Sequence, residues 1–346
     1  MTGNPKLVKM GITLAWDYPR MSRFKKMPRL LARELTAPSQ LVYPLAVFLV
    51  GHFMFDLIGE PFSLHVLQAT RSVAAGVNLN EVISDGHLWA ATAHVYLIVS
   101  VIILFLLLRW MRARARGHVA IAHLSIAAIL IALGMVYLIN VDKSDRPIKA
   151  IFLFTYRSLA TSELLENVRL LAVINDTLTA INLFMIIVPA VLIAFGPLLV
   201  REPVNGWTER ELITRIKETH MMGLMASIFL AVGVLHMYAW MSWAPELLNK
   251  EGLETVVGSV TFYWGSVFTM MLAAFYFPVL LLLQKRAEGV MDAQQVPLIE
   301  RDQWLQRRGL SLRIVNQLPQ VIGILAPLVA APMGKLLSSF AVLIPK

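Results

Sequence analysis

Of 346 residues, 57% are hydrophobic and 15% charged, and the mean hydropathy is +0.65. Soluble domains carry about 25% charged residues, so this composition excludes a water-soluble enzyme or binding module, whose core could not hide so much apolar surface. The formal net charge of +9 sits beside the apolar runs rather than in a separate basic module, which points to anionic lipid headgroups and not to nucleic acid.

Residues 1–40 read as a basic cytoplasmic arm, with Lys25, Lys26, Arg29 and Arg33 among its cations and no apolar core of a signal peptide. Its stretch Pro28–Leu35 suits a basic amphipathic helix at the membrane interface. Six long apolar runs follow, at Leu41–Ile58, Leu88–Leu108, Val119–Ile139, Leu178–Val200, Met221–Trp243 and Val256–Leu283. Each is long enough for a hydrocarbon core that takes roughly 17–25 helical residues. They are expected to be helices, because backbone groups in lipid have no water to satisfy them and the alternation of a barrel strand is absent. The fold expected is therefore all-α, a polytopic integral membrane bundle with its six-helix domain at 41–284.

Two segments depart from that pattern. Between the third and fourth runs, Ser162–Leu171 places Leu164, Val168 and Leu171 at helical spacing. This predicts an amphipathic helix on the outer surface, with Thr161 or Ser162 as N-cap. In the basic segment 285–346, the apolar stretch Val321–Met333 is too short to cross alone, and Pro327 and Pro332 interrupt it. A re-entrant or interfacial element is expected there. Pro189, Pro197 and Pro278 should kink the fourth and sixth helices.

Lys and Arg are spread unevenly. The arm and the segments after the second, fourth and sixth runs hold 22 of them, and the alternate segments hold 7. The positive-inside rule then puts both flanks of the six-span block in the cytoplasm, as in a bacterial inner-membrane protein. Acidic residues show no such bias, with 10 on each side.

Cysteine is absent, which removes disulfides, thiolate metal sites, iron–sulfur clusters and covalently attached haem. H-E-x-x-H, G-x-S-x-G and Walker A signatures are missing as well, so nothing argues for an enzyme. The chemistry available lies in ionisable groups at membrane depth, which normally face a bundle interior or a hydrated cavity. His52, Asp56, His87, His94 and His236 all fall in the outer part of their spans, and Asp176 stands at the outer mouth of the fourth. His52 and Asp56 are four residues apart and His87 and His94 seven, so each pair shares a helix face. Together they predict an outer polar cluster that could relay protons, admit a cation or, through His52, Asp56, His94 and His236, hold a first-row metal.

A haem between His94 and His236 is a further reading of the same depth. A second haem between His123 and His220 is disfavoured, because His220 and His236 are sixteen residues and hence about 160° apart around one helix. Three function classes follow from the sequence: a transporter, channel or proton-conducting subunit with an outer polar cavity; a non-catalytic subunit of a larger membrane assembly, with protein partners or as a homo-oligomer; and a redox protein holding haem or a transition metal.

Overall fold

In the computed structural model, residues 42–57, 79–115, 117–143, 153–161, 168–203, 206–248, 251–309 and 318–342 are described. Among them the protein is an all-α membrane helix bundle without strands. In chain order the helices are α1 (Val42–Leu57), α2 (Leu79–Arg114), α3 (His118–Lys143), α4 (Phe154–Thr161), α5 (Val168–Phe195), α6 (Pro197–Val200), α7 (Glu209–Leu248), α8 (Glu251–Ala293), α9 (Leu298–Arg307) and α10 (Leu318–Val342). Five of them, α2, α3, α5 with α6, α7 and α8, are long and apolar enough to cross a membrane, and α1 and α10 carry shorter apolar stretches. Five of the six predicted runs fall within α2, α3, α5 with α6, α7 and α8, and the described residues of the first form α1. The predicted arm, with Pro28–Leu35, lies outside the described residues.

Local chemistry explains where these helices begin and end. At the start of α7 the Glu211 N–H donates to Thr208 Oγ1 at 3.2 Å, and Glu209 and Glu211 sit in the first turn. This is the T-x-x-E pattern that satisfies an otherwise orphaned donor and places negative charge toward the positive end of the helix dipole. Gly117, with φ of +57°, supplies the left-handed residue between α2 and α3. Pro197, which has no N–H, opens α6 after Gly196, whose dihedrals stay helical and whose N–H still donates to Leu192 O of α5 at 3.0 Å.

Helix α7 is the hub. Its buried residues, including Met222, Phe229, Val234, His236, Tyr238 and Trp240, cover most of its circumference, and Met221, Leu224 and Ile228 mark the stripe left exposed. Helices α2, α8 and α10 are its main partners, and α5 packs on α2 and α3. Helix α1 joins α8 and α3: Gly51 meets Val267, the Tyr263 hydroxyl donates to Gly51 O at 2.6 Å, and His52 meets Tyr137. At roughly 1.5 Å per residue, α7 and α8 are about 60 Å long or more, twice the thickness of a hydrocarbon core. Their excess extends the bundle at its basic end, where α2 finishes and α7 begins.

A short helix stands ahead of the segment Ser162–Leu171 in which the sequence predicts one. It is α4, whose Phe154, Thr155, Ser158 and Leu159 are all buried, with the Thr155 hydroxyl donating to Trp240 O at 2.8 Å. Thr161 therefore ends a helix instead of capping one, Val168–Leu171 form the first turn of α5, and Ser162–Asn167 lie outside the described residues. Phe154 and Leu159 bury apolar side chains on the face that the Thr155 bond turns toward α7.

At α10 the prolines do not interrupt the helix, which continues through Pro327 and Pro332. Pro327 has no N–H, so the carbonyl four residues earlier, Gly323 O, loses its helical partner. The Ser227 hydroxyl of α7 donates to that carbonyl. Small residues let the backbones approach: a Cβ on Gly265 of α8 would stand 2.6 Å from Pro327 O, and one on Gly334 would stand 2.6 Å from the Tyr238 ring. Close packing of small residues plus an interhelical hydrogen bond is how helices associate where lipid removes the hydrophobic drive. Ser227→Ala should lower unfolding stability in detergent by about 1–2 kcal/mol, since it strands a carbonyl. Gly265→Val should lower it further by wedging α8 from α10, which a thermal or denaturant titration of the purified protein would measure.

Candidate functional site

His52 is the meeting point of three helices. Its Nε2 lies 2.9 Å from the Tyr137 hydroxyl of α3 and 3.5 Å from Asp56 Oδ2, one turn along α1. The imidazole stacks on Phe48, with ring centroids 6.2 Å apart and planes 8° from parallel. Tyr137 meets it edge-on at 5.1 Å, and Trp264 of α8 approaches at 6.4 Å. An imidazole, a carboxylate and a phenol thus share one spot at the far end of the bundle. When Nε2 is unprotonated the phenol donates to it, and the imidazolium donates instead to phenol or carboxylate, so both states keep a partner. Tyr137 was hidden in the sequence because it is one aromatic among the apolar residues of α3; only the crossing of α1 and α3 brings it to His52.

His236 belongs to a different place. It is 6% exposed on α7 and faces α2, where Tyr96 stacks on it at 5.9 Å and Trp89 lies at 6.4 Å. Trp89 in turn touches Trp240 at 5.4 Å and Trp243 at 5.7 Å. His236 is the polar member of an aromatic cluster that holds α2 to α7, with centroid spacings in the favourable range for ring pairs. Within it, His236 Nδ1, Trp89 Nε1 and Trp243 Nε1 make no hydrogen bond among the described residues.

The remaining predicted members turn outward, and here the predicted cluster is corrected. His87 and His94 are exposed on α2, and Asp176 is exposed on α5. The inward positions of α2 are Val82, Trp89, Ala93, Tyr96, Ser100, Ile103 and Leu107, a 3–4 repeat in which Trp89 and Tyr96 stand two residues beyond His87 and His94. Two residues are about 200° of helix, so burying the tryptophan and tyrosine forces both histidines to the opposite face. His94 and His236 are consequently not brought together as a ligand pair. His123 Nδ1 donates to Ala194 O at 2.6 Å, capping the end of α5, while His220 Nδ1 meets Gln320 Nε2 of α10 at 3.3 Å. Among the described residues no three His, Asp or Glu side chains are grouped to hold a metal ion.

At the basic end a set of charges locks three elements. Arg114, at the end of α2, donates from Nε to Glu218 at 2.7 Å and from Nη1 to Glu211 at 3.2 Å. Arg215, 7% exposed, pairs with Glu211 at 2.9 Å and donates from Nη1 to Leu198 O of α6 at 2.7 Å. Arg308, beyond α9, donates to Glu209 at 2.8 Å with its guanidinium 4.0 Å above the Trp304 ring. The sequence treats these arginines as orientation signals; their pairing with Glu211 and Glu218 appears only when α2 and α7 meet.

A half-open cleft lies between α1, α5, α7 and α8. Pro44, Pro189, Leu192, Phe229, Met271 and Phe275 are among its lining residues, and all of the lining side chains are apolar. It is therefore not the polar cavity that the six ionisable residues implied.

Comparisons with protein-family models, with characterised proteins and with solved structures find no match for the chain.

Two measurements check the site as described. A double-mutant cycle between His52→Ala and Tyr137→Phe should return a coupling of about 0.5–1.5 kcal/mol, the usual net worth of such a bond. Arg215→Met should cost about 3 kcal/mol, because it leaves the Leu198 carbonyl without its buried donor and takes from Glu211 one of its two arginine partners.

Proposed function

We propose that the protein is a non-catalytic membrane subunit of a larger assembly, seated in the bacterial cytoplasmic membrane with its basic end in the cytoplasm. Another membrane-spanning chain covers its α2 and α5 surface. The observation that carries this reading is His94: it stands six residues into the apolar run Leu88–Leu108, yet its side chain is exposed on the outside of the bundle. Asn182 is exposed in the same way, four residues into the run Leu178–Val200 of α5. Ionisable and amide groups are costly against hydrocarbon and are normally sheltered by protein or water. A neighbouring helix that hydrogen-bonds them gains roughly 0.6–2 kcal/mol for each.

Native mass spectrometry of the protein extracted in membrane patches, without detergent exchange, tests this. A second chain, different or identical, should accompany it. A photo-crosslinker in place of His94 should capture that chain, and His94→Leu combined with Asn182→Leu should reduce its recovery about tenfold, the equivalent of 1.4 kcal/mol. A single chain whose crosslinker at His94 captures only lipid would sink the proposal.

A second reading rests on the contact among His52, Asp56 and Tyr137, a constellation able to hold and pass a proton. On that reading, proteoliposomes containing the protein conduct protons in response to an imposed gradient, and Asp56→Asn abolishes the flux. Flux unchanged by Asp56→Asn, or no flux in the intact protein, would leave the subunit reading alone.

A further inference from the structure

We infer that α10 crosses the membrane parallel to α7 as a further span, and so carries the chain to the face opposite the start of α7. The register of its contacts supports this. Gln320 meets His220, a separation of 100 residues, and Gly323 O accepts from Ser227, a separation of 96. Ala330 and Ala331 pack with Val234, and Gly334 lies against Tyr238. A nearly constant offset along the whole length means that the two helices advance together; antiparallel or transverse helices would not keep it.

Depth follows from the same contacts. The stretch of α7 from His220 to Tyr238 rises about 27 Å at 1.5 Å per residue, close to the roughly 30 Å of a hydrocarbon core. Helix α10 matches that stretch and continues to Val342. A re-entrant segment would have to reverse at mid-depth, and an interfacial one would lie across α7 instead of along it. Neither geometry allows α10 to remain one helix from the level of His220 past that of Tyr238.

The inserted face is built for this position. Gly323, Pro327, Ala331 and Gly334 recur at spacings of four, four and three, with Pro327, Ala331 and Gly334 buried, while Ile322, Leu325, Val329, Met333 and Leu336 are exposed on the other side. Among the described side chains that outer face is wholly apolar, as a lipid-facing surface should be, whereas a helix lying at the interface would carry a strongly charged or polar face. With α1, α2, α3, α5, α7 and α8, the bundle then has seven crossings, and the segment after α10 shares the far face with α4.

The absence of cysteine makes the test direct. Single-cysteine variants Gln295→Cys, at the basic end after α8, and Glu254→Cys, at the far end of α8, calibrate the two faces; both native residues are exposed. Lys346→Cys is then probed with a membrane-impermeant maleimide on right-side-out and inverted vesicles. It should react from the face that labels Glu254→Cys, at least tenfold faster than from the other. An epitope fused after Lys346 gives an independent readout and should be cut by protease added on that same face only. Labelling or cleavage from the Gln295 face would overturn the inference and return α10 to a re-entrant or interfacial position.

Discussion

Where this chain crosses hydrocarbon no water can reach, so every carbonyl released there by a proline or a helix end needs a donor from the protein itself. Ser227 serves Gly323 O, which Pro327 deprives of its helical bond. His123 serves Ala194 O at the end of α5, and Arg215 serves Leu198 O in α6. Each of these donors comes from a different helix than its acceptor. Ser227, Arg215, Thr155 and His52 thus reach across to another helix, whereas Ser100, Ser158, Thr219 and Thr261 bond back to a carbonyl of their own helix, so cross-helix hydrogen bonds act together with close packing in holding the helices in register.

The same constraint separates structural histidines from candidate functional ones. His123 caps a helix, and His236 is surrounded by Tyr96 and Trp89 within the aromatic seam between α2 and α7. His52 differs in having a carboxylate and a phenol beside it at 3.5 and 2.9 Å, a combination that retains partners in more than one protonation state. His87 and His94 differ again, being turned away from the bundle altogether. One residue type in one membrane therefore plays three physical roles, set by what the facing helix presents.

The basic end adds a second kind of restraint. There the helices emerge from hydrocarbon, and α2, α6 and α7 are tied by Arg114, Arg215, Glu211 and Glu218 acting as one network, with Arg308 joining the chain beyond α9 to Glu209. Arg215 is buried enough for its pairing to matter, whereas the more exposed pair of Arg301 and Asp292 adds little. Leu298 and Ile299 of α9 stay 81% and 95% exposed beside this network, so α9 is anchored through Trp304 and Arg308 rather than through its first residues.

Composition and the length of the apolar runs determined by themselves that the chain is a helical membrane bundle, because hydrocarbon thickness and backbone hydrogen bonding leave a segment of about twenty apolar residues no other fold. They also located α1, α2, α3, α5, α7 and α8 to within a few turns. Tertiary structure alone decided which face of each helix is inward. In a membrane the lipid-facing and protein-facing sides are both apolar, so no amphipathic stripe distinguishes Trp89 and Tyr96 from His87 and His94, and ionisable groups of equal depth were grouped that contacts then separated. It also decided the course of α10, since a proline reads as a helix break until a hydroxyl on another helix, here that of Ser227, supplies the bond that the proline removes.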